Sequence, residues 1–343
     1  MMQSTLFNIP ETYANRVDME IGTTMPQNAA FAVKEGEFIV PTIMPGEYTP
    51  VEELERQFDE ADMAIIEEIA RSKYLNSLQI YELLSLRGFL IQRDRLTKRL
   101  NKLKKYRVIH ENTIKLPETE HGLRYYELEL KGYVIAKNRG CIFHKGNRYI
   151  SYMKRVELGL VDLPSDVKRV LCGNQIVIHM LINNIKMQRF GILETYCAKN
   201  EEGLVTDCSI LRTAANIKID ANSILAYEVV RDNPEGYDKL ADKINRYYAL
   251  LHNENYLLSN NHEDKELPQM VICGQSFDHN KQIVDFLKKK GLWNDEDTIL
   301  FTEDLLNIRD SARSIYEIKD NERVWYQLPL SYARDRSEDI KSA

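Results

Sequence analysis

Between residues 61 and 106 apolar positions recur at spacings of three and four, the period of amphipathic helices. Met63, Ile66, Ile69 and Ala70 share one face of a helix predicted over residues 61–72. A second is predicted to start near Ser77, whose hydroxyl suits an N-cap, to turn Ile80, Leu83 and Leu84 inward, and to stop around Gly88. A third spans about residues 92–106, with Leu96, Leu100 and Leu103 in a stripe. At 100° per residue Arg95, Lys98, Arg99, Lys102 and Lys105 fall on the other side, so this helix is half core and half cation. The period then shortens. Val108-Ile109, a turn at His121-Gly122 and the alternating run 124–130, closed by Lys131-Gly132-Tyr133, predict a hairpin. Three helices and a hairpin in this order predict a winged helix-turn-helix over about residues 58–140.

Beyond residue 163 helical and strand-like stretches alternate. Ile176, Ile178, Leu181, Ile182 and Ile185 predict a helix over 174–188 that also carries His179. Strands are predicted at 191–197, 215–219 and 224–230, the last two joined by Asp220-Ala221-Asn222-Ser223, which has turn chemistry. After Pro234, Tyr237, Leu240, Ala241, Ile244, Tyr247, Tyr248 and Leu251 form one stripe of a long helix whose other face shows Lys239, Lys243 and Arg246. A strand at 269–273, a helix at 278–290 ended by Gly291 and a strand at 298–302 complete an α/β pattern, a mixed central sheet covered by helices. The domain reading is therefore an arm at 1–57, the winged helix at 58–140, a connector at 141–162, an α/β domain at 163–325 and a charged tail at 326–343. The arm holds five prolines and no sustained helical period, with Phe38-Ile39-Val40 as a candidate docked strand.

Composition narrows the function classes. No apolar run approaches the ~20 residues of a membrane span, which excludes a membrane partner, and the polar N-terminus carries no export signal, so a cytoplasmic location is expected. Cys141, Cys172, Cys197, Cys208 and Cys273 contain no C-x-x-C pair, and read as reduced core thiols rather than disulfides or a zinc cage. The net charge of −6 conceals a division: residues 1–60 hold three basic and eleven acidic residues, whereas 92–115 hold nine basic and two acidic. Cations along the outer face of a helix that fits the major groove neutralise phosphates and release counterions, so double-stranded DNA is the expected partner. Arg93, Arg95 and Arg99 suit bidentate contacts to guanine, and Lys98, Lys102, Lys105, Lys115 and Arg124 suit the backbone. Reading of paired half-sites would make the chain a homodimer. The acidic arm is expected to fold back on the basic helix and compete with DNA.

The run Tyr126-x-Leu128-x-x-x-Gly132 behind a basic third helix resembles the end of many winged-helix DNA-binding domains. With Tyr227-Glu228-x-x-Arg231, then Leu240-x-x-Lys243-x-x-x-Tyr247, then strand, helix and strand, residues 60–305 resemble the replication-relaxation family of mobile-element proteins. They are also similar to plasmid relaxases built on a restriction-endonuclease-like core, the PD-(D/E)XK fold. The resemblance implies an accessory protein of a plasmid or integrative element that acts in replication or conjugative DNA processing beside a relaxase or replication initiator. In such a core, carboxylates on adjacent strands hold Mg²⁺ and a lysine stands beside them. Glu228 matches the glutamate, but the lysine position is Val230, and the family's proline-aspartate falls on Thr213-Ala214, leaving Asp220 as the nearby substitute. His179 resembles a helix histidine of the relaxases. The expectation is binding without catalysis or cofactor. The alternatives are a Mg²⁺-dependent nickase with Asp220 and Glu228 as ligands and His179 or Lys243 assisting, and a winged-helix transcriptional regulator. A structural role for Glu228 would pair it with Arg231 or Lys243.

Overall fold

The computed structural model describes residues 7–8, 31–42, 47, 49–141, 150, 152–199, 205–220, 223–251, 256–258, 268–293 and 299–329. Strands β1 (Phe7–Asn8) and β2 (Phe38–Pro41) come first, followed by helices α1 (Val51–Gln57), α2 (Glu60–Ser72), α3 (Ser77–Leu86) and α4 (Arg93–Lys105). Then come strands β3 (Ile109–Lys115) and β4 (Leu123–Leu128) and helix α5 (Leu130–Asn138). Local chemistry sets the starts. Asp59 caps α2 by accepting from the Asp62 amide, and α3 begins on a reciprocal capping box between Asn76 and Gln79, so its cap is Asn76 rather than the expected Ser77. The predicted stripes of α2, α3 and α4 meet in one core, where Ile66, Ile69, Ile80, Leu84, Leu96, Leu100 and Leu103 pack with Val108.

The described part of the proline-rich arm forms regular structure. Strand β2 pairs antiparallel with β3, from Phe38 opposite Lys115 to Pro41 opposite Asn112, and with β4 makes a three-stranded sheet. Residues 51–57, read as linker, form α1 because Leu54 is fully buried against the core. Residues 131–133, read as the end of the hairpin, begin α5 instead. Gly132 is required there by close approach: a Cβ at that position would lie 2.2 Å from the Val108 carbonyl oxygen.

The remainder is α/β. Helices α6 (Tyr152–Glu157) and α7 (Pro164–Ile182) lead into β5 (Arg189–Ile192), β6 (Thr195–Lys199), β7 (Val205–Arg212), β8 (Ala215–Asp220) and β9 (Ser223–Val229). Helix α8 (Pro234–Leu251), β10 (Tyr256–Leu258), β11 (Gln269–Gly274), α9 (Phe277–Lys289), β12 (Leu300–Glu303), α10 (Asp304–Arg309), β13 (Ile315–Lys319) and β14 (Glu322–Gln327) follow. One sheet runs β1-β14-β13-β12-β11-β9-β8-β5 and is mixed: β9, β11 and β12 are parallel, and the outer pairs are antiparallel. The parallel pairs need the crossovers that α8 and α9 supply. A second, small sheet is ordered β10-β6-β7.

Several boundaries differ from the sequence reading. Helix α7 starts ten residues before the predicted 174, because Pro164 at its first turn has a backbone angle preset for a helix. The expected strand 191–197 is split between the two sheets at Leu193, whose φ of +55° bends the chain. The connector contains α6, and its Asp162 accepts from Tyr74 and lies 3.3 Å from Lys73. A tail from residue 326 would cut β14, where Trp325 is buried, and Leu328 just after the strand is buried too; residues 330–343 lie outside the described residues.

Helix α7 is buried almost all round, as a helix must be when it serves two neighbours. Val170, Val177 and Met180 pack on the large sheet, while Ile178 belongs to the N-terminal core. Asn174 donates to the carbonyls of Ser72 and Tyr74, at 3.1 and 2.7 Å, and Gln79 donates to the Leu171 carbonyl at 2.7 Å. Among the described residues no helix is long and apolar enough to cross a membrane.

Candidate nucleic-acid interface and the buried Glu228 cluster

Helix α4 shows its cations in two different states. In its first turns Arg93, Arg95 and Lys98 are exposed; Arg93 stacks over Tyr81 at 5.7 Å, and none of the three forms an ion pair with a described residue. Further along, Arg99 donates to Asp59 at 2.6 Å and to Asp62 at 2.7 Å, and Lys102 donates to Asp62 at 2.8 Å while covering the Phe58 ring. Asp62 is fully buried, so the first turn of α2 locks these two side chains onto the protein. The Arg99 hydrogen bond holds the Asp59 carboxyl below its usual range, against a small cost of burial. Lys104 pairs with Glu111 and Lys105 with Glu47, at 2.8 and 2.9 Å.

Periodicity places Arg99, Lys102 and Lys105 outward; in the structure Arg99 and Lys102 are held on buried Asp62, while Lys105 stays exposed in a surface pair with Glu47. Outward cations of α4 without a carboxylate partner among the described residues are Arg93, Arg95 and Lys98, with exposed Arg124 and half-buried Lys115 on the hairpin. The arm behaves differently from expectation as well. Glu47 does reach α4, whereas Glu37 turns to the buried Lys168 of α7, at 2.6 Å.

The second set of predicted residues does not converge. Asp220 pairs with Ser223 at the hairpin tip, while Ala214, next to β8, donates its amide to Tyr227 beside Glu228 at the other end. Six residues of strand separate the two acids, roughly 20 Å, far beyond a shared ion. His179 lies ten residues along α7 from Arg169, roughly 15 Å, and burial pulls its imidazole below the usual value. Glu228 is almost fully buried and meets two cations instead. Arg169 of α7 donates to both carboxylate oxygens, at 2.7 and 2.8 Å, and Lys243 of α8 donates at 2.6 Å. Burial alone would raise the Glu228 carboxyl, but Arg169 and Lys243 hold it below its usual range. Burial and the neighbouring Arg169 bring the Lys243 ammonium down to about 8.

This donor set does not fit Mg²⁺. Arg169 and Lys243 together bring two positive charges to Glu228, among the described residues no set of three metal-ligating side chains includes it, and Val230 packs among Leu240 and Ile244. Of the two partners expected for Glu228, Lys243 is found and Arg231 is not. Three residues along an extended chain point to opposite faces, and Arg231 pairs with Asp304 at 2.6 Å. Arg169 was missed because the sequence reading begins this helix only at 174, five residues past it. No family model, curated protein or solved structure matches this chain.

Proposed function

We propose that residues 58–140 are a winged helix that binds double-stranded DNA, and that the chain is a non-catalytic DNA-binding accessory protein of a plasmid or integrative element, acting in replication or conjugative DNA processing. The observation that carries this reading is the outward set Arg93, Arg95 and Lys98 on the first turns of α4, next to a three-stranded hairpin sheet bearing Arg124 and Lys115. The N-terminal turns of such a helix reach base edges in the major groove, and the hairpin lies along the adjoining backbone. Gln92 caps α4 without a side-chain bond, which leaves first-turn amides to meet a phosphate.

The order α7, β5, β8, β9, α8, β11 supports a restriction-endonuclease-like core for the second part, with Arg169 and Lys243 standing at Glu228 where such enzymes hold a metal. That replacement favours binding over cleavage. A relaxase or replication initiator would then supply the chemistry. The test is affinity for plasmid-origin fragments at two salt concentrations. Arg95→Ala with Lys98→Ala should lower the salt slope by roughly two, at about one per phosphate contact. Salt-independent binding, or none, would reject the reading.

A further inference from the structure

Cys172 of α7, Cys273 of β11 and Asp304 of α10 are brought together from three distant parts of the chain, and all three are buried. We propose that they form a binding site for a thiophilic divalent cation, Zn²⁺ by the chemistry of the donors. This reading is independent of DNA binding, and it departs from the sequence expectation of inert core thiols.

Three observations carry it. The first is geometry: Oδ1 of Asp304 lies 3.4 Å from Sγ of Cys172 and 3.5 Å from Sγ of Cys273, and all the ligand atoms fall within 4.8 Å of one another. Zn–S bonds of about 2.3 Å and a Zn–O bond of about 2.0 Å at tetrahedral angles place sulfur and oxygen about 3.5 Å apart. The second is charge. Two neutral thiols with Asp304 and Arg231 sum to zero; when Zn²⁺ enters and the two thiol protons leave for solvent, the sum is still zero. No buried charge is created. The third is the surrounding shell. Arg231 donates to both Asp304 oxygens, at 2.6 and 2.9 Å, and approaches Cys172 at 3.3 Å; Asn307 approaches Cys273 at 3.7 Å. Donors in these positions orient a ligating carboxylate and stabilise thiolates. A small cavity bounded by Cys172, Asp304, Asn307 and Gln175 leaves room for a water as the fourth ligand. Two sulfurs select Zn²⁺ over Mg²⁺ or Ca²⁺.

The test uses full-length protein, reduced and stripped with a chelator. Zn²⁺ titrated against a chromophoric chelator should bind one per chain, Co²⁺ should show thiolate-to-cobalt charge-transfer absorption, and Zn²⁺ should raise the melting temperature. Cys172→Ser with Cys273→Ser should lose all three responses. Equal Zn²⁺ affinity in wild type and double variant, or a Co²⁺ spectrum without sulfur bands, overturns the proposal. If the variant fails to fold, the wild-type Co²⁺ spectrum decides alone. A Cys172–Cys273 disulfide that forms in air, with no Zn²⁺ uptake after reduction, also overturns it.

Discussion

A single buried carboxylate explains much of what the second part of the chain does and does not do. Glu228 sits buried between the half-buried Arg169 and Lys243, and removing it would leave two cations facing each other without their shared carboxylate. Glu228→Ala is therefore expected to cost about 3–5 kcal/mol, measured by urea unfolding. A loss below about 1 kcal/mol would mean that the cations relax into solvent. In the same assays wild-type protein with Mg²⁺ should leave supercoiled plasmid unrelaxed. His279 makes a second prediction. Its Nδ1 accepts from the Gln275 amide at 3.0 Å, and the buried ring faces Tyr237, with Asp232, Arg231 and Asp304 as the nearby charges. Burial, the largest cause, lowers the imidazole to about 4. The unfolded chain takes up this proton first, near the usual 6.5, so His279 contributes stability that is full above that pH. The contribution falls as pH drops from about 6.5 to about 4, by up to roughly 3 kcal/mol. His279→Gln should flatten this stretch of the stability curve; an unchanged slope would mean that the ring is protonated in the folded state.

At the scale of elements, α4 divides its cations between two tasks. Arg95 and Lys98 should affect DNA affinity while leaving the melting temperature unchanged. Arg99, tied to buried Asp62, should do the reverse, with Arg99→Ala lowering stability by about 1–3 kcal/mol because Asp62 keeps Lys102 but loses one of its two charged partners. Equal effects of both sets on DNA binding would show that the Asp62 pair opens on the duplex. The stripe that buries Leu96, Leu100 and Leu103 was legible because period alone decides it. Which opposite-face cations are free was not, since that depends on where Asp59 and Asp62 come to rest. The Tyr126-x-Leu128-x-x-x-Gly132 run acquires a mechanical reason: α5 packs its first turn against the Val108 carbonyl. Gly132→Ala forces that contact apart, and a loss of roughly 1–3 kcal/mol is expected by thermal unfolding.

Across the whole molecule α7 joins the N-terminal helices to the large sheet, through Asn174 and Gln79 on one side and Val170, Val177 and Met180 on the other. The two parts are expected to unfold in one transition, and Asn174→Ala should lower its midpoint, leaving the Ser72 and Tyr74 carbonyls without this donor, at about 1–3 kcal/mol. Two separated transitions in calorimetry would show that the parts are independent. The arm belongs to this scale too: deleting residues 1–50 removes Glu37 from buried Lys168, so the truncated chain should lose stability, whatever it gains in DNA affinity by freeing Lys105 from Glu47. What the amino-acid order determined by itself are the features that short-range periodicity and turn chemistry encode: the stripes of α2, α3, α4 and α8, the hairpin of β3 and β4, and the β8–β9 turn at Asp220. Only the tertiary structure decided the partners. Asp220 and Glu228 are eight residues apart in sequence yet at opposite ends of a hairpin. Arg169 with Glu228, and Cys172 with Cys273 and Asp304, are distant in sequence yet in contact. Contacts of this kind follow from how strands register and helices cross, and burial then makes each charge depend on a neighbour that no local pattern names.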